Sequence, residues 1–144
     1  MKPILLVVAP YYQAISEMLV SGATSAIYAA EQTAEMITVP GALEIAGAIA
    51  MAAKSERYAG YVALGCVIRG ETTHYEIVSN ESARALQELA IHHHLPIGNG
   101  ILTVETMAQA IARAEPTQGD KGGEAAKAAL RMLAIAHVFG LEHS

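Results

Sequence analysis

Short β-branched runs alternate along the whole chain with longer segments of helical periodicity, and this alternation constrains the fold more than any other feature. Residues 4–9 form a continuous apolar run of strand length. After it, Ile15, Met18, Leu19, Gly22, Ala23, Ala26, Ile27 and Ala30 recur at the spacing of one helix face. Gly22 and Ala23 would let that helix lie close to a sheet. A second strand is predicted over 36–39, stopped by Pro40-Gly41, and an Ala-rich helix over 43–54. A third strand, rich in Val and Ile, covers 61–68. Thr73 and Glu76 then stand in capping-box relation, with Thr73 as N-cap. The helix they open runs to about His92, with Val78, Ser82, Ala85 and Leu89 on one face. A fourth strand over 96–103, a short helix over 105–113 and a polar loop over 114–123 follow. The last helix has a stripe of Leu130, Leu133, Ala134, His137, Val138 and Leu141. Strands alternating with helices imply right-handed βαβ units. The expected fold is α/β, a three-layer αβα sandwich whose parallel four-stranded sheet has helices on both faces. The length of 144 residues suits one domain over 1–144.

Composition narrows the function classes. The formal charge is −5 and no basic stripe is present, which argues against general nucleic-acid binding. Only 16% of residues are charged while 53% are hydrophobic. Soluble domains of ordinary composition carry about 25% charge, so the deficit points to apolar surface buried against another subunit. No window approaches the ~18 apolar residues of a membrane span. The opening apolar run reads as a buried strand rather than a leader. The single cysteine, Cys66, excludes an intrachain disulfide and fits a reducing compartment. The expected location is cytoplasmic.

In sheets of this kind ligands bind outside the carboxyl ends of the strands. After the third strand, Arg69-Gly70-Glu71-Thr72-Thr73 makes a tight connection into a helix. The backbone N–H groups of Glu71 and Thr72 would offer an anion a place to sit, with the Thr72 hydroxyl assisting. Most helix starts bind nothing, so the turn alone names an anion-friendly place and no more. His74 lies just beyond it. A neutral imidazole there suits proton transfer in a carbonyl–amine condensation, although position alone does not separate it from a surface histidine. The consecutive His92, His93 and His94 fan outward by about 100° each and cannot easily share a metal; they complement a helix C-terminus. His137 reads as a core or interface residue. Arg113 ends the short helix, where the dipole favours a cation, and doubles as a candidate phosphate clamp. Lys121 reads as a solvated loop lysine. Cys66 at a strand end admits a Cys/His nucleophile reading with His74, against which its apolar setting suggests a buried, inert thiol. Tyr11 and Tyr12 follow the first strand, where a tyrosine ring suits either packing or stacking on a flat heterocycle.

Four segments, in order and at matching spacing, resemble those of lumazine synthases. Val39-Pro40-Gly41-Ala42-Leu43-Glu44-Ile45 is similar to their "VPGAFE" segment, and Ala63-Leu64-Gly65-Cys66-Val67-Ile68-Arg69-Gly70-Glu71-Thr72-Thr73-His74 to "ALGCVIRGxTxH". Pro96-Ile97-Gly98-Asn99-Gly100-Ile101-Leu102-Thr103 and Gly119-Asp120-Lys121-Gly122-Gly123-Glu124-Ala125-Ala126 match two more. The resemblance implies a flavodoxin-like sandwich. It also implies a condensation of 5-amino-6-ribitylaminouracil with 3,4-dihydroxy-2-butanone 4-phosphate, without metal or organic cofactor. It places proton transfer at His74 and uracil stacking at Tyr11. It places aminouracil and ribityl binding at Ala42, Leu43, Glu44, Cys66, Val67 and Ile68, with Asn99 looking toward a neighbouring subunit's site. Phosphate binding falls to Glu71, Thr72 and Arg113, and Lys121 and Glu124 are further polar residues nearby. The family forms pentamers, some of which build sixty-subunit shells, so the expected partners are the two small substrates and further copies of the chain.

Four departures accompany the resemblance. One is Asn99, which puts a polar side chain where some members place Phe, though others share the Asn. Tyr11 stands where Phe or Trp is common, and Leu43 replaces the more usual Phe. Few residues precede the first strand, where many members carry an extra strand that pairs with a neighbour. Beside the active synthase stand two other readings: a non-catalytic lumazine- or flavin-binding relative on the same scaffold, and an unrelated phosphate-binding domain or Cys/His enzyme. The retained His74, Arg113, Lys121 and Glu124 favour the synthase over the first, and the co-linear segments over the second.

Overall fold

A computed structural model describes residues 1–70 and 73–141. The elements are β1 (Ile4–Val8), α1 (Gln13–Ala29), β2 (Ala34–Thr38), a 3-10 turn (Ala42–Glu44), α2 (Ile45–Lys54), β3 (Gly60–Ile68), α3 (His74–His93), β4 (Ile97–Val104), α4 (Met107–Ala114) and α5 (Lys121–Val138). All strand pairs are parallel, in the order β2-β1-β3-β4. The expected three-layer α/β sandwich is therefore the observed one.

Continuous apolar runs become strands buried on both faces. Every residue of β1 is buried. Ile4, Leu6 and Val8 face a core closed by α1, α4 and α5, with Ile15, Leu19, Ala110 and Ala126 in it. Leu5 and Val7 face a second core closed by α2 and α3, with Ile45, Ile49, Val78 and Leu86. Two glycines set how closely the helices approach. A Cβ on Gly98 of β4 would collide with the Ala125 carbonyl, and one on Gly122 with the Leu19 carbonyl. Small residues thus let α5 lie directly on β4 and against α1.

Several local expectations are corrected. Thr73 does not form the capping box. Its backbone is already helical (φ −71°, ψ −2°) and its side chain makes no capping bond. Its carbonyl accepts instead from Glu76 and Ile77 N–H, while the Glu76 carboxylate turns to Arg69, 3.4 Å away. The last helix starts within the predicted loop, because Asp120 caps it by accepting from Gly123 N–H at 3.2 Å. Its buried stripe is Gly122, Ala125, Ala126 and Ala129, with Leu130 and Leu133 partly covered. Ala134, His137, Val138 and Leu141 of the predicted stripe are exposed. Gly22 approaches Asp120 and Gly123 at the start of α5, not the sheet. The second strand spans 34–38 rather than 36–39, and its residues after Ala34 are exposed on this edge of the sheet. The segment after Pro40-Gly41 enters as a 3-10 turn before α2 begins.

Candidate functional site

The strand order reverses direction between β1 and β3, since the chain leaves β1 for β2 on one side and returns to β3 on the other. Crevices at such a switch point are where α/β sheets bind ligands. A cavity of about 370 Å³ opens there. Its walls come from three connections: Tyr11 and Tyr12 after β1, residues 40–44 after β2, and residues 66–68 at the end of β3, with His74 at the start of α3. Tyr11, Ala42, Leu43, Glu44, Cys66, Val67, Ile68 and His74 are thus brought together.

The strand register explains why this end of β3 is available. Pairing of β1 with β3 ends at Val8 and Leu64, with one further bond from Ala9 N–H to the Leu64 carbonyl. Pairing of β3 with β4 continues to Ile68 and Val104. Among the described residues no strand pairs with the β1 side of Cys66, Val67 and Ile68. Alternate backbone groups of that stretch therefore face the cavity, and such groups need partners. A flat heterocycle with alternating N–H and C=O groups matches such an edge.

The aromatic wall is asymmetric. Tyr11 is 77% exposed, whereas Tyr12 packs against the core. Their rings meet edge to face, 4.9 Å apart at 72°. The Tyr12 carbonyl is held by Ser16 N–H and Ser16 Oγ. Burial, then the neighbouring Tyr11 and Cys66, pushes the Tyr12 hydroxyl above its ordinary range. Burial also pushes the Cys66 thiol up to about 11. Near neutral pH it stays protonated and is a poor nucleophile, which counts against the Cys/His enzyme. Leu43 is 44% exposed at the cavity.

The remaining candidates are elsewhere. Arg113 and Lys121 line a separate recess of about 320 Å³ with Thr103 and Gly119, beside β4. Arg113 Nη1 donates to the Gln109 carbonyl at 3.2 Å. Lys121 Nζ lies 3.7 Å from Glu124 Oε1. Asn99 pairs in register with Ala63, three residues before the level of Cys66 and Leu102. Its side chain is on the exposed edge of β4, where Oδ1 accepts from Ile101 N–H at 2.9 Å. One chain therefore presents two separate groups of candidate residues. Glu71 and Thr72, the expected anion-binding pair, lie outside the described residues. Of the two tyrosines after β1, Tyr12 takes the packing role and Tyr11 stays open to the cavity; Arg69 carries no role in the sequence reading beyond its place in the turn after β3.

A larger cavity than the one beside His74, about 430 Å³, lies at the opposite end of the sheet, bordered by Lys54, Tyr58, Tyr61 and His93. Lys54 and His93 end α2 and α3, where cations are favoured by the helix dipole. That cavity shares no lining residue with the one beside His74. No described helix is long and apolar enough to cross a membrane.

Comparison with known proteins gives a single answer. The family model described as 6,7-dimethyl-8-ribityllumazine synthase matches residues 2–137. A protein of that name from Bartonella henselae is 58% identical over 139 residues, covering 95% of this chain and 90% of its own. One from Novosphingobium aromaticivorans is 58% identical over 135 residues, covering 94% and 96%. One from Sphingopyxis alaskensis is 56% identical over 141 residues, covering 98% and 99%. With the family model matching nearly the whole chain and these relatives aligned end to end, the chain belongs to the 6,7-dimethyl-8-ribityllumazine synthase family.

Proposed function

We propose that this chain is a transferase that condenses 5-amino-6-ribitylaminouracil with 3,4-dihydroxy-2-butanone 4-phosphate to 6,7-dimethyl-8-ribityllumazine, a step in riboflavin biosynthesis. The observation that carries the reading is the cavity at the β1–β3 switch point, with an aromatic ring on one wall, an open strand edge on another and a histidine at its rim, in a member of this family. Tyr11 stacks on the uracil. The backbone edge at Cys66, Val67 and Ile68 pairs with its amide groups. Ala42, Leu43 and Glu44 border the ribityl chain.

An amine of the aminouracil attacks the ketone and water leaves, giving an imine. Phosphate is eliminated, and the second amine closes the ring with loss of water. His74 relays protons in these steps. The sugar phosphate is held by the N–H groups of Glu71 and Thr72 and by Arg113, with Lys121 and Glu124 beside it. Since Arg113 and Asn99 lie apart from the His74 cavity within one chain, they serve the site of the next chain in a ring of five. The exposed β2 edge, the apolar Met51, Ile77 and Ile91 on the outer surfaces of α2 and α3, and the low charge fraction support such packing. His137 and Val138 then meet a neighbour. The proposed setting is the cytoplasm.

Incubating purified protein with both substrates, without added metal, should yield the fluorescent lumazine. No turnover above the uncatalysed background at saturating substrate would leave only the binding role.

A further inference from the structure

Arg69 is the residue between the end of β3 and the turn into α3, and the functional reading leaves it unused. Its N–H donates to the Val104 carbonyl at 2.9 Å, which extends the β3–β4 pairing to the rim of the site. Its guanidinium then reaches two ways. Nη2 lies 3.4 Å from Glu76 Oε1, two residues beyond His74 on α3. Nη1 lies 3.5 Å from Glu105 Oε1, on the connection between β4 and α4. Its central carbon sits 5.8 Å from the centre of the Tyr75 ring. Both residues that follow His74 are therefore in contact with one side chain.

Glu105 is itself held in place. Its N–H donates to Gln109 Oε1 at 2.8 Å, and the Gln109 carbonyl accepts from Arg113 Nη1 at 3.2 Å. A polar run thus joins the first turn of α3, which carries His74, to α4, which carries Arg113. Half-exposed ion pairs contribute little to folding stability. A guanidinium is nevertheless a rigid planar fork that fixes direction as well as distance.

We propose that Arg69 is a positioning residue of the condensation: it sets the first turn of α3, and with it His74, against the α4 connection that leads to Arg113. The inference rests on the reading of His74 as the proton-transfer residue. Each subunit's two groups of site residues are then braced through one side chain. Misplacing a catalytic group by about 1 Å can cost on the order of 10²-fold in rate. Here the backbone pairing of Arg69 survives side-chain loss, so about five- to twentyfold is expected. Because His74 moves protons and does not hold the heterocycle, the loss falls on kcat rather than on KM for the aminouracil.

The test is steady-state kinetics of the full chain with both substrates, together with thermal unfolding and sedimentation. Arg69→Ala should lower kcat about five- to twentyfold, with KM for the aminouracil within about twofold and with Tm and assembly unchanged. Arg69→Lys keeps the charge without the fork, so it should recover part of the loss. Glu105→Gln should cause a smaller loss that is not additive with that of Arg69→Ala. Unchanged kcat in Arg69→Ala overturns the proposal. So does a kcat loss that tracks a falling Tm or dissociation, which makes Arg69 a purely structural residue. His74→Ala run in parallel separates the two levels. If it leaves kcat intact, the site reading fails and the brace with it; if it lowers kcat while Arg69→Ala does not, the brace alone fails.

Discussion

The cavity beside His74 and the recess beside Arg113 are made of opposite materials. The first is walled by tyrosines, apolar side chains and the open edge of a strand, and it suits a flat heterocycle. The second carries Arg113 and Lys121 and suits an anion. A condensation between a heterocyclic amine and a sugar phosphate needs both. Each chain carries both but holds them on different flanks of the sheet, and the proposed complete site joins the cavity of one copy to the recess of another. The proposed subunit packing would also cover the exposed β2 edge and account for the low charge fraction.

If the cavity holds the chemistry and the recess holds the anion, substitutions in the two should affect different kinetic constants. The largest effect is expected at His74. His74→Ala should lower kcat by about 10²-fold, the low end for a general acid–base group, because water can carry protons during imine formation. A change confined to KM would contradict the assignment. Next is Arg113→Ala, which removes a charge-assisted contact worth about 1.5–3 kcal/mol. KM for the sugar phosphate should rise about tenfold or more while KM for the aminouracil holds. An unchanged sugar-phosphate KM would remove Arg113 from the site. Tyr11→Ala should raise KM for the aminouracil about three- to tenfold through lost stacking, and Tyr11→Phe should restore it; a phenylalanine variant as weak as the alanine one would mean that the hydroxyl, not the ring, binds.

The smallest effect is expected at Cys66. Cys66→Ser should keep activity within about twofold, since the thiol is protonated at working pH. Titration gives a second readout. Burial raises the folded thiol to about 11 from a reference of 9.0. The unfolded thiol therefore loses its proton first as pH rises, so this group's linkage lowers stability between those two values. Replacing the thiol with serine should remove that component of the alkaline loss. An unaltered pH dependence of unfolding in Cys66→Ser would place the thiol in water.

The order of elements was legible because β1 and most of β3 are continuous apolar runs, β2 and β4 are short β-branched runs bounded by turn residues, and the longer segments between them keep helical spacing. The carboxyl-end location of the cavity followed from that order. Less legible was anything decided by competition between partners. Thr73 and Glu76 satisfy the capping-box pattern, yet Arg69, seven residues before Glu76, takes the carboxylate. The stripe on α5 was misassigned because helical period does not say what covers a face. Gly98 lets the backbone of α5 approach, so its small residues are buried and the larger Val138 is left outside. The separation of Arg113 from His74 was invisible for a similar reason. Spacing along the chain places both after strands, while only sheet order shows that β4 and the ends of β1 and β2 lie on different flanks.

The proposed site is assembled from two chains. The most direct test mixes His74→Ala and Arg113→Ala chains one to one, unfolds and reassembles them, and measures lumazine formation at a sugar-phosphate concentration well below the wild-type KM, where each variant alone is slow. In a ring, half the chains supply an intact His74 and half of their neighbours an intact Arg113, so about a quarter of wild-type turnover should return. Turnover no higher than the average of the two variants alone would place both residues in a site within one chain and rule out a site shared between neighbours.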